Sequence, residues 1–353
     1  AIRHWETLAE LSDGDDKIEV TRRAGAQAFY AGRWEQAEGI FEKVRKLAAA
    51  DDRIEAGVLS NLASVYRMTG RAKEAGEANA RALAIHRKLD DRRNVAVVLG
   101  NIANAQRERG ETEQAEENYR TAIALYHEVG DRKAAGVVLG NLAVIFRTTG
   151  QPKLYRETLE EALALHIETG DRRSEGVALL NLGAGYNDTA DYEQAEQVFN
   201  RALSIFREVG YRRAEAVVLN NLALLYGLTG KTAEAVDVFE QVLAMSREEG
   251  DLWSEGVCLS NLARVHVESG QSDKAEQAFE QALEIHRKTN NRPEQGVVLS
   301  GLAGLYTDTR RFAPAELSYV EAIDIHRAGR KPRFEGHTLC HLALHTVAHG
   351  HVA

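Results

Sequence analysis

The pattern of apolar and polar positions along the chain predicts pairs of amphipathic helices. Between residues 131 and 170, apolar side chains recur three and four positions apart in two runs, as they do along one side of a helix. The first run comprises Leu139, Leu142, Ala143 and Phe146, and the second comprises Leu159, Ala162, Leu163 and Leu165. Gly150 separates the two runs, and Asp131 stands where an N-cap residue would start the first helix. Pro152 fits the first turn of the second helix, where its missing N–H is tolerated.

This helix pair recurs every 40 residues along the chain. The markers of the repeat are Asn61-Leu62-Ala63, Asn101-Ile102-Ala103, Asn141-Leu142-Ala143, Asn181-Leu182-Gly183, Asn221-Leu222-Ala223 and Asn261-Leu262-Ala263, and the register continues through Gly301-Leu302-Ala303 and His341-Leu342-Ala343. A fixed period in this range is typical of solenoids, in which each repeat buries its apolar face against its neighbours. The sequence therefore predicts an all-α solenoid of antiparallel helix pairs.

The register divides the chain into three predicted parts. Eight helix pairs occupy residues 17–330, with starts near residues 17, 51, 91, 131, 171, 211, 251 and 291. Residues 331–353 predict a lone C-terminal helix. Residues 1–16, in which Ile2, Trp5 and Leu8 have helical spacing, predict an N-terminal capping helix.

Small and aromatic residues recur in fixed columns of the repeat. The small column is Ala56, Ala96, Gly136, Gly176, Ala216, Gly256, Gly296 and Gly336, and rings recur at Tyr66, Phe146, Tyr186, Tyr226 and Tyr306. Together with the Leu-Ala marker, this pattern over residues 17 to 350 resembles the tetratricopeptide repeat. The resemblance implies a right-handed superhelix whose first helices line a concave groove that binds a protein or peptide.

The 40-residue spacing and the Gly-Asp-Arg start of a repeat are similar to those of the LGN/Pins adaptors, and the Asn-Leu-Ala marker is similar to that of kinesin light chains. Arrays of this kind also occur in bacterial signalling proteins beside kinases, STAND-type NTPases or caspase-like peptidases. The resemblance therefore suggests that the chain is a fragment of a bacterial multi-domain signalling protein. Its sequence contains no motif of those catalytic domains, and we expect no enzymatic activity.

Composition narrows the expected partners. The net charge of -9 disfavours binding to nucleic acid, which needs a basic surface. No stretch approaches the roughly 20 apolar residues that span a membrane, and the N-terminus does not have the pattern of a signal peptide. The two cysteines, Cys258 and Cys340, lack metal or redox spacing. We expect a cytoplasmic protein without a cofactor.

An asparagine column is the main candidate binding feature. Its members are Asn61, Asn101, Asn141, Asn181, Asn221 and Asn261, and the resemblance places them in the groove. An Asn amide has both a donor and an acceptor, so it could pair with the backbone of an extended peptide. The alternative is that duplication copied an Asn that bonds within the scaffold.

Six residues after the asparagine column, a second column carries Arg67, Arg107, Arg147 and Asn187. Guanidinium groups pair with carboxylates. The arginine column therefore predicts that the first part of the groove binds an acidic segment or a free carboxylate. The alternative is that these charges are solvated or paired within the scaffold.

The last helix carries His337, His341 and His345 with a spacing of four residues. This spacing places imidazoles on one side of a helix and makes the three residues weak candidates for a metal site. Packing of His345, or docking of the helix on another domain, is the alternative interpretation.

The sequence thus predicts a non-enzymatic scaffold that binds a protein or peptide in its groove. Two other functions remain open. The chain could be a sensor or autoinhibitory arm of a larger bacterial regulator, or an oligomerisation scaffold that uses its C-terminal helix.

Overall fold

The structure is a computed structural model, which describes residues 12, 14–47, 51–329 and 331–348. Within these residues the chain forms helices connected by short turns and contains no strand. The helices are α1 (Gly14–Tyr30), α2 (Trp34–Leu47), α3 (Asp52–Met68), α4 (Ala72–Lys88), α5 (Arg92–Glu108), α6 (Thr112–Glu128), α7 (Arg132–Thr148), α8 (Pro152–Glu168), α9 (Arg172–Asp188), α10 (Tyr192–Glu208), α11 (Arg212–Leu228), α12 (Thr232–Glu249), α13 (Leu252–Glu268), α14 (Ser272–Lys288), α15 (Arg292–Asp308), α16 (Phe312–Ala328) and α17 (Pro332–Ala348).

The helices form two compact units, and the boundary between them lies inside α9, after Gly185. In the first unit, α1 packs on α2, α3 on α4, α5 on α6 and α7 on α8. In the second unit the pairs are α11 with α12, α13 with α14 and α15 with α16. In both units the second helix of a pair also packs on the first helix of the next pair, as α4 does on α5. The all-α fold of consecutive helix pairs predicted from the sequence is confirmed. The predicted capping helix lies mostly outside the described residues, and α1 begins at Gly14.

Glycine and aspartate define the turns between repeats. Gly130 has a φ of +73°, in the left-handed region that glycine adopts without strain, and it allows the Asp131 N–H to reach the Tyr126 carbonyl at 2.9 Å. The Asp131 carboxylate then accepts a hydrogen bond from the Ala134 N–H at 3.1 Å. Partial burial raises the pKa of Asp131, but this hydrogen bond and the Arg93 guanidinium together lower it below its ordinary value. Asp131 is therefore the N-cap that the sequence predicts, held as a carboxylate.

The small column makes room for a column of histidine rings in the second helices. A Cβ atom added at Gly136, Gly256 or Gly296 would lie 2.8, 2.7 or 2.6 Å from the ring of His166, His286 or His326, respectively. The three rings are at most 3% exposed. Burial lowers the pKa of each of these histidines, because the charged imidazolium is poorly solvated inside the protein. The prediction that these histidines pack as rings is consistent with their position, and Tyr126 and Phe206, both buried, occupy the same column.

These buried histidines make stability depend on pH. Their folded-state pKa values lie below the unfolded value of about 6.5, so the unfolded chain binds more protons as the pH falls below that value. Their contribution to stability is therefore present above about pH 6.5 and is lost on acidification. We expect the melting temperature, followed by circular dichroism, to fall between pH 6.5 and pH 5, above the range in which ordinary carboxylates titrate.

A triple variant provides the control for this prediction. The variant replaces each of the three imidazole rings with phenylalanine, the residue that the same column already holds at Phe206. Its substitutions are His166→Phe, His286→Phe and His326→Phe. The triple variant should lose less of its melting temperature than the wild type over the same pH range. An equal loss in both proteins would assign the acid sensitivity to other groups.

Tyr155 in α8 departs from the repeat, since the other second helices carry a small alanine in its column. It is 3% exposed, and a Cβ atom added at Gly185 would lie 2.5 Å from its ring. Its hydroxyl donates a hydrogen bond to the Asn181 carbonyl at 2.7 Å. The large side chain is therefore accommodated by a glycine on the facing helix α9, where α3, α5, α7, α11, α13 and α15 carry alanine, valine, leucine or isoleucine.

Candidate functional site

The candidate site in the first unit is a row of asparagines on consecutive first helices. Asn61, Asn101, Asn141 and Asn181 lie at the same position of α3, α5, α7 and α9 and are all partly exposed. We call these four residues the asparagine ladder. In α7 the next two residues, Leu142 and Ala143, point into the core and are at most 3% exposed. Neighbouring first helices touch, because α3 contacts α5 and α5 contacts α7.

The amides of the asparagine ladder are unengaged. Asn61, Asn101, Asn141 and Asn181 make no side-chain hydrogen bond to any residue in the described ranges of the chain. Each therefore presents a donor and an acceptor that water or a ligand can use. Four unengaged amides in register form a surface suited to a repetitive polar ligand.

The two later asparagines of the column behave differently. In the second unit, Asn221 Nδ2 donates to the Val217 carbonyl of its own helix at 2.8 Å. Asn261 Nδ2 donates to Asn220 Oδ1 at 3.1 Å. The next position is Gly301, where a Cβ atom would lie 2.7 Å from the Phe279 ring. For Asn221 and Asn261 the structure thus favours the scaffold alternative.

The residues of the arginine column also differ in whether they are paired within the protein. Arg67 Nη1 donates to Glu108 Oε1 at 2.6 Å and links α3 to α5. Arg107 is partly exposed, and it forms no ion pair with any residue that the structure describes. Arg147 is exposed. In the second unit, Asn187 is partly exposed, and its Oδ1 atom is buried without a hydrogen-bond partner in the described residues. The ion pair of Arg67 agrees with the alternative that this charge is paired within the scaffold. The guanidinium of Arg107, in contrast, is available to pair with an acidic ligand.

The three histidines of α17 do not converge. The Nε2 atoms of His337 and His341 are 3.4 Å apart, and both side chains are exposed. His345 is buried and lies near the Phe312 and Tyr319 rings. Its Nδ1 atom shares a hydrogen bond with Thr307 Oγ1 at 3.0 Å. Across the described ranges, no group of three or more His, Cys, Asp or Glu side chains has the geometry to hold a metal ion. His345 therefore packs, as the alternative interpretation predicts.

The two cysteines are free thiols that differ in their exposure. Cys258 is buried, and its Sγ atom lies 3.3 Å from the Phe239 carbonyl, to which it donates. Burial raises the pKa of the Cys258 thiol to about 12, so the thiol stays protonated at neutral pH. Cys340 is exposed on α17.

Several apolar side chains of α17 are exposed. Leu339 is 42% exposed and Leu344 is 67% exposed, whereas Leu59, Leu139 and Leu299, which share the column of Leu339, are almost fully buried. Oligomerisation through this helix stays a prediction, which light scattering over a range of protein concentrations tests.

Comparison with known proteins assigns the family. Residues 54–128, 94–168, 134–208, 174–248 and 256–328 each match the family model of the tetratricopeptide repeat. No curated protein sequence matches the chain. Among the described helices, none combines the length and apolar character needed to cross a bilayer.

Solved structures with the same fold include signalling proteins. A STAND-type signal transduction ATPase with a tetratricopeptide repeat sensor from Pyrococcus horikoshii has a TM-score of 0.67 and 16% identity, over 96% of this chain and 50% of that chain. Aspartyl phosphate phosphatase F from Bacillus subtilis has a TM-score of 0.64 and 14% identity, over 92% of both chains. A Rap protein complexed with Competence and Sporulation Factor has a TM-score of 0.60 and 12% identity, over 95% of this chain and 99% of that chain. At these identities the likeness shows the fold alone. The family matches extend over more than half of the sequence, and the chain therefore belongs to the tetratricopeptide repeat family.

Proposed function

We propose that the chain is a non-enzymatic polypeptide-binding module whose asparagine ladder holds an extended peptide by its backbone. The observation that carries this proposal is the set of four partly exposed amides, aligned on consecutive first helices and without hydrogen bonds to the described scaffold. An Asn amide can accept from a peptide N–H and donate to a peptide C=O at the same time. Such pairing binds a peptide through its backbone and does not depend on the identity of its side chains.

The spacing of the helices suits an extended guest. Packed helices lie about 8–10 Å apart, and an extended chain advances about 3.3 Å per residue. One amide of the ladder would therefore meet about every third residue of the guest. The four amides of the first unit would engage a segment of about ten residues.

The sequence composition of the helices also supports a ligand role. Asn in a helix interior is less favourable than Ala by about 0.5 kcal/mol. In the second unit, hydrogen bonds of Asn221 and Asn261 within the scaffold offset this cost. The four asparagines of the ladder make no such hydrogen bonds to offset their cost in helix stability. Binding of a ligand would account for their presence.

Arg107 adds a charge preference. It has no ion-pair partner among the described residues and lies on α5, about one and two-thirds turns after the ladder residue Asn101. A carboxylate of the guest could accept two parallel hydrogen bonds from its guanidinium. We therefore propose a guest with an acidic side chain or free C-terminus near the middle of the first unit.

Proteins of the same fold agree with a binding role. One is a Rap protein in complex with Competence and Sporulation Factor, and another carries its tetratricopeptide repeats as a sensor in a STAND-type ATPase. A sensor role for this chain would use the same surface, with ligand arrival as the signal. Groove binding of a polypeptide is the step that both roles share.

Selection from a random peptide library displayed on phage tests the proposal. Library members of about 12 residues would be selected on the wild-type chain and then compared on two variants. In the ladder variant, Asn61→Ala, Asn101→Ala and Asn141→Ala remove three unengaged amides. In the matched control, Asn221→Ala and Asn261→Ala remove two amides that the scaffold already uses. We expect selected peptides to bind the wild type and the control but not the ladder variant.

Two results would overturn this function. Peptides that bind the wild type and the ladder variant equally would place the binding surface elsewhere. A library that yields no specific binder to the folded wild type would remove the support for peptide binding as such.

A further inference from the structure

One position of the second helices is filled by a large side chain in every repeat except one. The residues in this column are Phe41, Tyr119, Leu159, Phe199, Phe239, Phe279 and Tyr319, and each is at most 2% exposed. In α4 the same position holds Asn79. A ring or branched side chain is thus replaced by a shorter, polar one in the interior of the first unit.

A cavity of about 150 Å³ opens beside this asparagine. It lies between α3, α4 and α5, and its apolar wall includes Ala75, Ile102 and Ala105. The ion pair of Arg67, which is partly exposed, with Glu108, which is exposed, also lines it. We call this cavity the Asn79 socket. Its volume matches that of a cavity which takes up benzene.

The Asn79 socket contains an unsatisfied hydrogen-bond acceptor. Asn79 is only 5% exposed, and its Oδ1 atom is buried with no hydrogen-bond partner in the described residues. A buried acceptor without a partner costs about 1–3 kcal/mol. An apolar ring alone would leave this cost in place, whereas a ring with a hydroxyl group would remove it.

The adjacent repeat shows which group suits this position. Tyr119 occupies the same column in α6, and its ring is fully buried. Its hydroxyl donates to Asn104 Oδ1 at 2.6 Å. A phenol with an asparagine amide as its acceptor is therefore a combination that the scaffold already accommodates one repeat away.

We propose that the Asn79 socket receives a tyrosine side chain of the polypeptide bound by the first unit, with the phenol hydroxyl donating to Asn79 Oδ1. This inference rests on the proposed function for its guest, but the socket itself can be tested with a small molecule. The socket lies on the same helices as Asn61 and Asn101, the first two members of the asparagine ladder. The ladder would hold the backbone of the guest, and the socket would select one of its side chains.

Titration with p-cresol, the side-chain analogue of tyrosine, tests the socket by ligand-observed NMR on the whole chain. We expect saturable binding of p-cresol to the wild type. Toluene, which has the same ring and no donor, should bind at least about tenfold more weakly, because the acceptor stays unpaired. Asn79→Phe, which places in α4 the residue found at Phe199, Phe239 and Phe279, should abolish p-cresol binding. The same substitution should raise the melting temperature, since it fills the cavity and removes the unmet acceptor.

The ladder variant separates this inference from the proposed function. It should bind p-cresol as the wild type does, even where it loses peptides. In the library selection, the wild type should enrich tyrosine at one position, and Asn79→Phe should lose that enrichment while its binding still depends on the ladder. Asn79→Leu, which copies Leu159, repeats the test if Asn79→Phe fails to fold.

Three outcomes would overturn the inference. They are no saturable binding of p-cresol to the wild type, equal binding of p-cresol to the wild type and a folded Asn79 variant, and equal binding of p-cresol and toluene. In the first two cases the Asn79 socket is a packing gap occupied by water at most. In the third it is an apolar cavity that does not recognise a phenol.

Discussion

Leu222→Asp is expected to lower the free energy of unfolding by at least about 4 kcal/mol, the range of the most damaging core substitutions. Leu222 lies in the middle of α11 and is 2% exposed. Removing its branched side chain costs about 2–5 kcal/mol on its own, and the new carboxylate is buried without a partner. Denaturant unfolding followed by circular dichroism measures the loss. Because each repeat is stabilised by its neighbours, hydrogen exchange should increase in α12 and α13 as well as in α11.

Leu228→Asp is the matched control for this substitution. Leu228 is the last residue of the same helix and is 55% exposed, so the same chemical change should alter stability by only about 0.5 kcal/mol. Equal losses in the two variants would contradict the buried face assigned to α11.

The ladder variant, with Asn61, Asn101 and Asn141 replaced by alanine, should bind a selected peptide about 100-fold more weakly than the wild type. Each amide contributes about 1 kcal/mol through its hydrogen bonds to the guest, and three such losses correspond to about two orders of magnitude in Kd. The same variant should be more stable than the wild type by about 1.5 kcal/mol, because Ala is the better helix former. Isothermal titration calorimetry and denaturant unfolding measure the two effects.

The opposite signs of these two effects make the result informative. A damaged scaffold would lose both binding and stability, whereas a ligand-binding ladder loses binding alone. The control variant, Asn221→Ala with Asn261→Ala, should keep its affinity, since the scaffold already uses those amides. A ladder variant that is less stable than the wild type would show that these asparagines support the fold.

Much of the fold is predictable because local chemistry determines it. Gly130 permits the left-handed turn and Asp131 caps the next helix, and both depend only on nearby residues. The apolar runs around Leu142 and Leu159 place their buried sides correctly, since both residues are at most 3% exposed. A strict period then propagates the same helix pair along the chain.

The site was less predictable, because it depends on contacts between repeats. All six asparagines of the column look alike in the sequence, yet Asn261 is engaged by Asn220, a residue 41 positions away. The Arg67 to Glu108 pair spans the same distance in sequence. Periodicity aligns such residues on one face, but it does not determine which neighbour a side chain chooses.

Two features could have been found from the sequence by comparing columns. Tyr155 and Gly185 are both exceptions in their columns, and the structure shows that the glycine accommodates the ring. Asn79 is the only polar residue in a column of rings and leucine. The cavity that results is a matter of packing, so the sequence could indicate where it lies but not its volume or its unpaired oxygen.

An ester scan of one selected peptide tests most directly the claim that the ladder holds a guest by its backbone. Replacing one amide by an ester removes a single backbone N–H and leaves every side chain in place. We predict losses of about tenfold at about every third position, and these losses should vanish when the same esters are measured on the ladder variant. Esters tolerated at every position, or losses of equal size on the wild type and the ladder variant, would contradict the account.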